Sequence, residues 1–266
     1  MCKISVPTLN IIAYVSHLVN ALTILGLTLG GVVIEDRDVY NTTYQYTTWN
    51  NGTLAQEYVD DAYQLRISTL MFVFSALSFA FQLFASIKTP RYDWKGGVVE
   101  KHEPHPLRFI EYAISAPVMF VAISLLSGIR NAHLIAALAV LVCVTMGCGL
   151  VAEFALDRAV DGDDEMYMVA WVAHLFGWVG VSTAYGILFA TTNIVVHSDV
   201  SEEPPAFVWA IIIFQFLAFM SFGFVQFAQL IVRRRVEWSE KAYIVLSLAA
   251  KTQLTWNVFF SVLVDV

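Results

Sequence analysis

Seven runs of apolar residues, each long enough to cross the hydrocarbon core of a bilayer, constrain this chain more than any other feature. They cover residues 9–34, 65–88, 105–129, 131–155, 166–191, 205–231 and 239–263. A lipid core offers nothing to hydrogen-bond a bare backbone, so runs of this length fold as helices. The expected fold is all-α: a seven-transmembrane-helix bundle in which residues 1–266 form one domain. Composition agrees, because only 14% of the residues are charged, against about 25% in a soluble domain. A multi-pass integral protein of the cell membrane follows, surrounded by the lipid bilayer, with no nucleic-acid interface. No cleavable leader is expected, since the first apolar segment is too long and runs into an acidic loop. Cys143 and Cys148 lie five positions apart on one run, about 140° around a helix, so they share no face.

Orientation follows from the basic residues between the runs. Lys3, Lys88, Arg91, Lys95, Lys101, Arg108, Arg158, Arg233, Arg234, Arg235 and Lys241 fall on one side, and Arg37, Arg66 and Arg130 on the other. Eleven against three predicts a cytoplasmic N-terminus and an extracellular C-terminus. The loop from Glu35 to Gln64 is then extracellular. Its β-branched and aromatic residues, followed by Asn50-Asn51-Gly52-Thr53, predict a β-hairpin turning at Asn-Gly. Asn41 and Asn51 both fit the glycan-acceptor tripeptide. The acidic stretch from Asp157 to Glu165 departs from the charge trend and has no account at this level.

Lys251 is the single charge inside the run from Ala242 to Val264. An ammonium near the bilayer centre costs roughly 3 kcal/mol by insertion scales, so a lysine there marks a functional site. Two things relieve the cost: a buried carboxylate, or conversion to an imine with a carbonyl ligand. Glu111 is the matching acid, about 10 Å along the third helix from Pro104 at the usual rise. It shares a helix face with Ser115, Met119 and Ala122. Side chains lean toward a helix N-terminus, which brings the lysine nitrogen toward the level of Glu111. Ser247, one turn before Lys251, offers a hydroxyl to the same place.

Other polar residues are weaker candidates. Asn10, Tyr14 and His17 form a stripe on the first helix, and Gln82, Gln215, Gln226 and Gln229 are amides of the kind that cross-link membrane helices. Glu153 is expected to snorkel from a helix end, and His174 has no evident partner in the sequence. His102, Glu103 and His105 read as a solvated loop rather than a metal site; no metal and no catalytic group is expected, and the chain is not read as an enzyme. The sixth run carries Phe207, Trp209, Phe214, Phe216, Phe219, Phe222, Phe224 and Phe227. With Trp178, Met119 and Phe120 it supplies flat apolar surface enough to sandwich a long polyene.

Seven spans, a lone lysine in the seventh and a carboxylate in the third resemble a retinal-binding rhodopsin, and the local sequences resemble one branch. The segment Ala242-Tyr243-Ile244-Val245-Leu246-Ser247-Leu248-Ala249-Ala250-Lys251, with Trp256 beyond it, is similar to the seventh helix of the heliorhodopsins. Arg108-Phe109-Ile110-Glu111-Tyr112-Ala113-Ile114-Ser115-Ala116 resembles their counterion segment, and Gln226-Phe227-Ala228-Gln229 the end of their sixth helix. The inverted topology and the long first extracellular loop fit as well. The resemblance implies all-trans retinal on Lys251 as a protonated Schiff base, with Glu111 as counterion and Ser247 as its hydrogen-bonding neighbour. It implies a pocket that includes Ser115, Met119, Trp178, Phe214, Phe219 and Gln226. His17 matches a histidine of the family's polar cluster, whereas Gln82 stands where relatives carry a second histidine, and an amide takes up no proton at ordinary pH.

The function this implies is a photoreceptor: light isomerises the retinal, weakens the contact between the Schiff base and Glu111, and leaves a long-lived signalling state. A homodimer and a signalling partner of unknown identity belong to that expectation. The alternative is a light-driven or light-gated proton transporter. Proton relays are built of Asp, Glu and His chains, and no carboxylate follows Lys251 on its own helix until Asp265.

Overall fold

The computed structural model describes residues 4–32, 39–50, 52–88, 94–95, 98–99, 106–160, 162–196, 206–234 and 236–263. Seven long helices are α1 (Val6–Leu29), α2 (Ile67–Lys88), α3 (Pro106–Leu126), α4 (Ala132–Ala159), α5 (Asp164–Val196), α6 (Ala206–Val232) and α7 (Glu237–Val258). The expected spans match them to within a few residues. Each helix packs on the next and α7 returns to α1, so the bundle closes into a ring, and α3 also touches α6 across the middle. Four strands accompany them: β1 (Val39–Asn50) and β2 (Thr53–Arg66) pair antiparallel, as do the two-residue β3 (Trp94–Lys95) and β4 (Val98–Val99).

Helix ends follow local chemistry. Ser5 caps α1 through the Thr8 amide, and Asn131 caps α4 through the Leu134 amide. At the far end of α1 the Gly31 amide donates to the Thr28 carbonyl and the Val32 amide to the Leu27 carbonyl. That paired pattern needs a left-handed residue, which Gly31 supplies with φ 71°. The acidic stretch before α5 also finds its reason here. Asp163 accepts from the Met166 amide, and Asp164 pairs with Arg233 at 2.5 Å. Acidic groups at a helix N-terminus meet its positive dipole end.

The hairpin turns where expected, with Asn50 opposite Thr53 and Gly52 at φ 80°. It bulges at Thr43, whose amide donates to the Arg130 carbonyl at 2.7 Å, while Arg130 Nε donates to the Asn41 carbonyl. Tyr44 packs on His133 with centroids 4.8 Å apart. The hairpin is therefore pinned to the α3–α4 turn.

Six of the helices are long and apolar enough to cross a membrane by length and composition. The seventh expected span, α7, falls short because Glu237, Glu240, Lys241 and Lys251 dilute it, and it is buried by its neighbours instead. Outside the described residues lie the His102, Glu103 and His105 cluster, Asn51, and the last residues of the first expected span. Two expectations change. Glu153 does not snorkel but is buried, 1% exposed, and within electrostatic reach of Tyr243. Arg108, counted above as a loop charge, is buried on the first turns of α3.

Candidate functional site

Three helices converge on one nitrogen. Lys251 on α7 and Glu111 on α3 are 4% and 3% exposed, and their side chains form an ion pair. Lys251 Nζ also donates to Ser78 Oγ on α2 at 2.6 Å. The Ser78 hydroxyl lies 2.9 Å from Glu111 Oε1 and 2.8 Å from the Phe74 carbonyl, with one proton to give. The Tyr112 ring stands 5.3 Å from the ammonium, within the range in which an aromatic face attracts a cation. Breaking a buried pair of this kind by removing one partner costs about 3–5 kcal/mol.

Ser78 was not among the sequence candidates. Its signal was the stripe Ser75, Ser78 and Gln82, which falls on one face of α2 by the i, i+3, i+7 spacing. Ser247 is buried beside the Tyr112 hydroxyl and lines the cavity with Lys251. The hydroxyl donated to by the lysine is that of Ser78, across the helix interface. His17 is buried on α1 within electrostatic reach of Lys251, and its Nδ1 has no hydrogen-bond partner among the described residues. Gln82 donates to Asn10 and so ties α2 to α1.

Two adjoining cavities open from this point. The first, about 350 Å³ with its mouth, is lined by Lys251, Ser247, Ala250, Ser115, Ala116 and Met119. The second, about 520 Å³ with its mouth, reaches Thr145, Gly149, His174, Trp178, Gly223 and Gln226. Tyr112, Met146, Phe219 and Phe222 line both. Glycines shape the walls: a Cβ at Gly223 would lie 2.8 Å from Trp178, and one at Gly149 2.5 Å from Phe109. Phe214 is a correction. It is 40% exposed and lies off both cavities, because five positions from Phe219 turn it about 140° around α6.

Beyond Tyr112, toward the start of α3 and α7, lies a second polar layer that the sequence reading missed. Arg108 forms a buried ion pair with Glu240 of α7, and its guanidinium sits 4.4 Å over the Tyr243 ring. Tyr243 donates to Gln229, and Gln229 donates to Ser239. Phe109, Tyr112, Phe222 and Tyr243 form the aromatic plug between this pair and Lys251.

Comparison with known proteins joins this geometry to a family. The heliorhodopsin family model matches residues 6–263. The chain belongs to the heliorhodopsins. No protein of curated description matches it in sequence. Two solved structures are similar in fold. A light-driven proton pump from Leptosphaeria maculans superposes with TM-score 0.69 at 13% identity, covering 97% of this chain and 95% of the pump. The rhodopsin of Exiguobacterium sibiricum gives 0.64 at 14% identity, with the same coverages. This heliorhodopsin is an integral, multi-pass membrane protein.

The family implies a retinal chromophore, and the residues present fit one. An amine with a carboxylate beside it closes one end of a long apolar cleft. Tyr112, Phe219, Phe222 and Trp178 supply flat walls, and the glycines at 149 and 223 leave room where a Cβ would clash.

Proposed function

We propose that this heliorhodopsin is a light sensor whose output is a changed helix arrangement rather than a transported ion. Lys251 is the attachment point for all-trans retinal, Glu111 the counterion and Ser78 the second group at the nitrogen. Ser115, Met119, Trp178, Phe219, Gln226 and Ser247 line the cleft, and the N-terminus faces the cytoplasm. Retinal, joined to Lys251 as a protonated imine, supplies the absorption of visible light and a light-driven isomerisation.

The protein's own residues do the rest. Glu111 offsets the positive charge at Lys251 Nζ in a site where few water dipoles can, and so keeps the proton on the nitrogen. The walls of Tyr112, Phe219 and Phe222 present mostly apolar surface to the cleft. A proton leaving Nζ has Glu111 Oε1 and Ser78 Oγ as its first acceptors, and its departure cancels the ion pair that ties α3 to α7. Loss of that tie is the signal the reading requires. Its setting is a homodimer in the membrane with a partner still to be identified.

The observation that carries the sensor reading is the chemistry on the hairpin side of Lys251. Buried polar residues there include Asn20, Thr42, Ser68, Ser75, Ser124, Ser127, Thr192, Gln215 and Thr255, and no buried carboxylate, histidine or second lysine joins them among the described residues. A proton path to that side would need such groups. The experiment is to express the chain with all-trans retinal and record both colour and photocurrent. A visible band that hydroxylamine bleaches in light, with no current under a proton gradient of either sign, is the expected result. A sustained photocurrent would overturn the sensor reading, and absence of any visible band would overturn the retinal reading.

A further inference from the structure

The far end of the cleft contains a histidine held at both ring nitrogens. His174 of α5 lies with Nδ1 3.0 Å from Gln226 Oε1 of α6. Its Nε2 accepts from Trp178 Nε1 at 2.8 Å, one turn along α5. Gln226 is itself oriented, because its Nε2 donates to the Gly149 carbonyl of α4 at 2.9 Å. A backbone carbonyl only accepts, so the amide nitrogen faces Gly149 and the amide oxygen faces His174. An amide oxygen also only accepts, so His174 Nδ1 carries the proton. The indole N–H only donates, so His174 Nε2 is bare. Donation runs one way, from Trp178 to His174 to Gln226 to Gly149, through three helices.

Trp178 is the residue this chain serves. Its indole presses on Gly223 so closely that a Cβ there would sit 2.8 Å from Cζ2, and it lines the same cavity as His174 and Gln226. Trp171 and Phe227 flank the imidazole, with Phe227 stacked at 6.1 Å and Trp171 edge-on at 6.2 Å. We propose that His174 is a positioning residue: a neutral imidazole, protonated at Nδ1, whose Nε2 fixes the Trp178 indole against Gly223 and thereby sets the far wall of the cleft. Its effect on colour rests on the retinal reading above, whereas the tautomer and the hold on Trp178 do not.

The test separates the two ring nitrogens. His174→Asn keeps an amide near the Nδ1 position and loses the acceptor for Trp178. His174→Gln places an amide oxygen near the Nε2 position and loses the donor to Gln226. Full-length, nitrogen-15-labelled protein in lipid nanodiscs is measured without and then with all-trans retinal, and Trp178→Phe assigns the indole signal. The wild-type apoprotein is expected to show a protonated Nδ1 and a bare Nε2 at His174. Exchange of the Trp178 indole proton should quicken about tenfold in His174→Asn, the loss of one net hydrogen bond, and stay near wild type in His174→Gln. With retinal, the absorption maximum should move in His174→Asn and return toward wild type in His174→Gln.

A protonated Nε2 in the wild-type apoprotein overturns the proposal, and this measurement needs no variant to fold. Equal indole exchange in the two variants overturns it as well. The expected tautomer and exchange pattern in a protein that takes up no retinal would support the hold on Trp178 and count against the retinal reading alone.

Discussion

On the hairpin side of Lys251 the buried polar groups are hydroxyls and amides that knit helices together. Asn20 of α1 accepts from Trp256 and donates to Thr252 of α7, and Gln215 of α6 donates to Gln253 and to the Ala250 carbonyl. The large apolar cluster, with Ile24, Phe74, Phe120, Tyr185 and Leu254, fills the space between them. On the other side the bundle buries Arg108, Glu153, Asp157 and Glu240. The first half is built to stay still, since a neutral hydrogen bond between packed helices has no protonation state to lose. The second half holds its helices through charges that can be neutralised. Lys251 and its ion pair with Glu111 stand at the boundary.

The largest break in this contrast is Lys251→Ala. No visible pigment should form on addition of retinal, as read by absorbance after reconstitution. The orphaned Glu111 should also lower stability by about 3–5 kcal/mol unless it takes up a proton. Next is Arg108→Ala, which leaves Glu240 buried alone and should cost a similar amount, about 3–5 kcal/mol by detergent unfolding. The double variant Arg108→Met, Glu240→Leu should recover most of that loss. Recovery in the double variant is what marks the pair as a coupled tie rather than two separate packing groups.

Ser78→Ala ranks third. It removes a hydrogen bond to a charged group, worth about 1.5–3 kcal/mol, and should shift the absorption maximum while leaving pigment formation intact. An unchanged spectrum would show that Ser78 does not sense the charge at Nζ. Smallest is Gln215→Leu on the hairpin side. Losing neutral bonds of about 1 kcal/mol should lower thermal stability slightly and leave the photocurrent at zero. A current in that variant would show that the hairpin half is sealed by this amide rather than by its lack of titratable groups.

The bundle and the central pair were legible because charge inside an apolar run is rare enough to be read one residue at a time. Lys251 stood alone in its run, and the helix rise together with the lean of its side chain brought its nitrogen toward the level of Glu111. Arg108 was misplaced because it stands two residues after Pro106 and looks like an interfacial charge. Only the position of Glu240, eleven residues and three helical turns before Lys251 on the same face, hinted at a second pair. Ser78 was hidden by commonness, since serines recur in membrane helices for many reasons. The partners of His174 come from α5 and α6 together, and no spacing along one helix reveals a contact between two. Phe214 shows the converse error: an aromatic-rich run has a lining face and a lipid face, and counting rings does not tell them apart.

The opposed sense of the two ion pairs has an electrical consequence. One pair places its cation on α7 and its anion on α3, and the other reverses this. Each pair sums to zero, so α3 and α7 can shift together without carrying net charge through the membrane field, where a lone charge would do about 2.3 kcal/mol of work per 100 mV. Of these four charges each helix likewise holds one of either sign. Only a step that separates one of the four side chains from the opposite charge on its own helix, or takes a proton from it, moves unbalanced charge. Membrane voltage therefore singles out those separations and passes over the rigid motions of the helices that bear them.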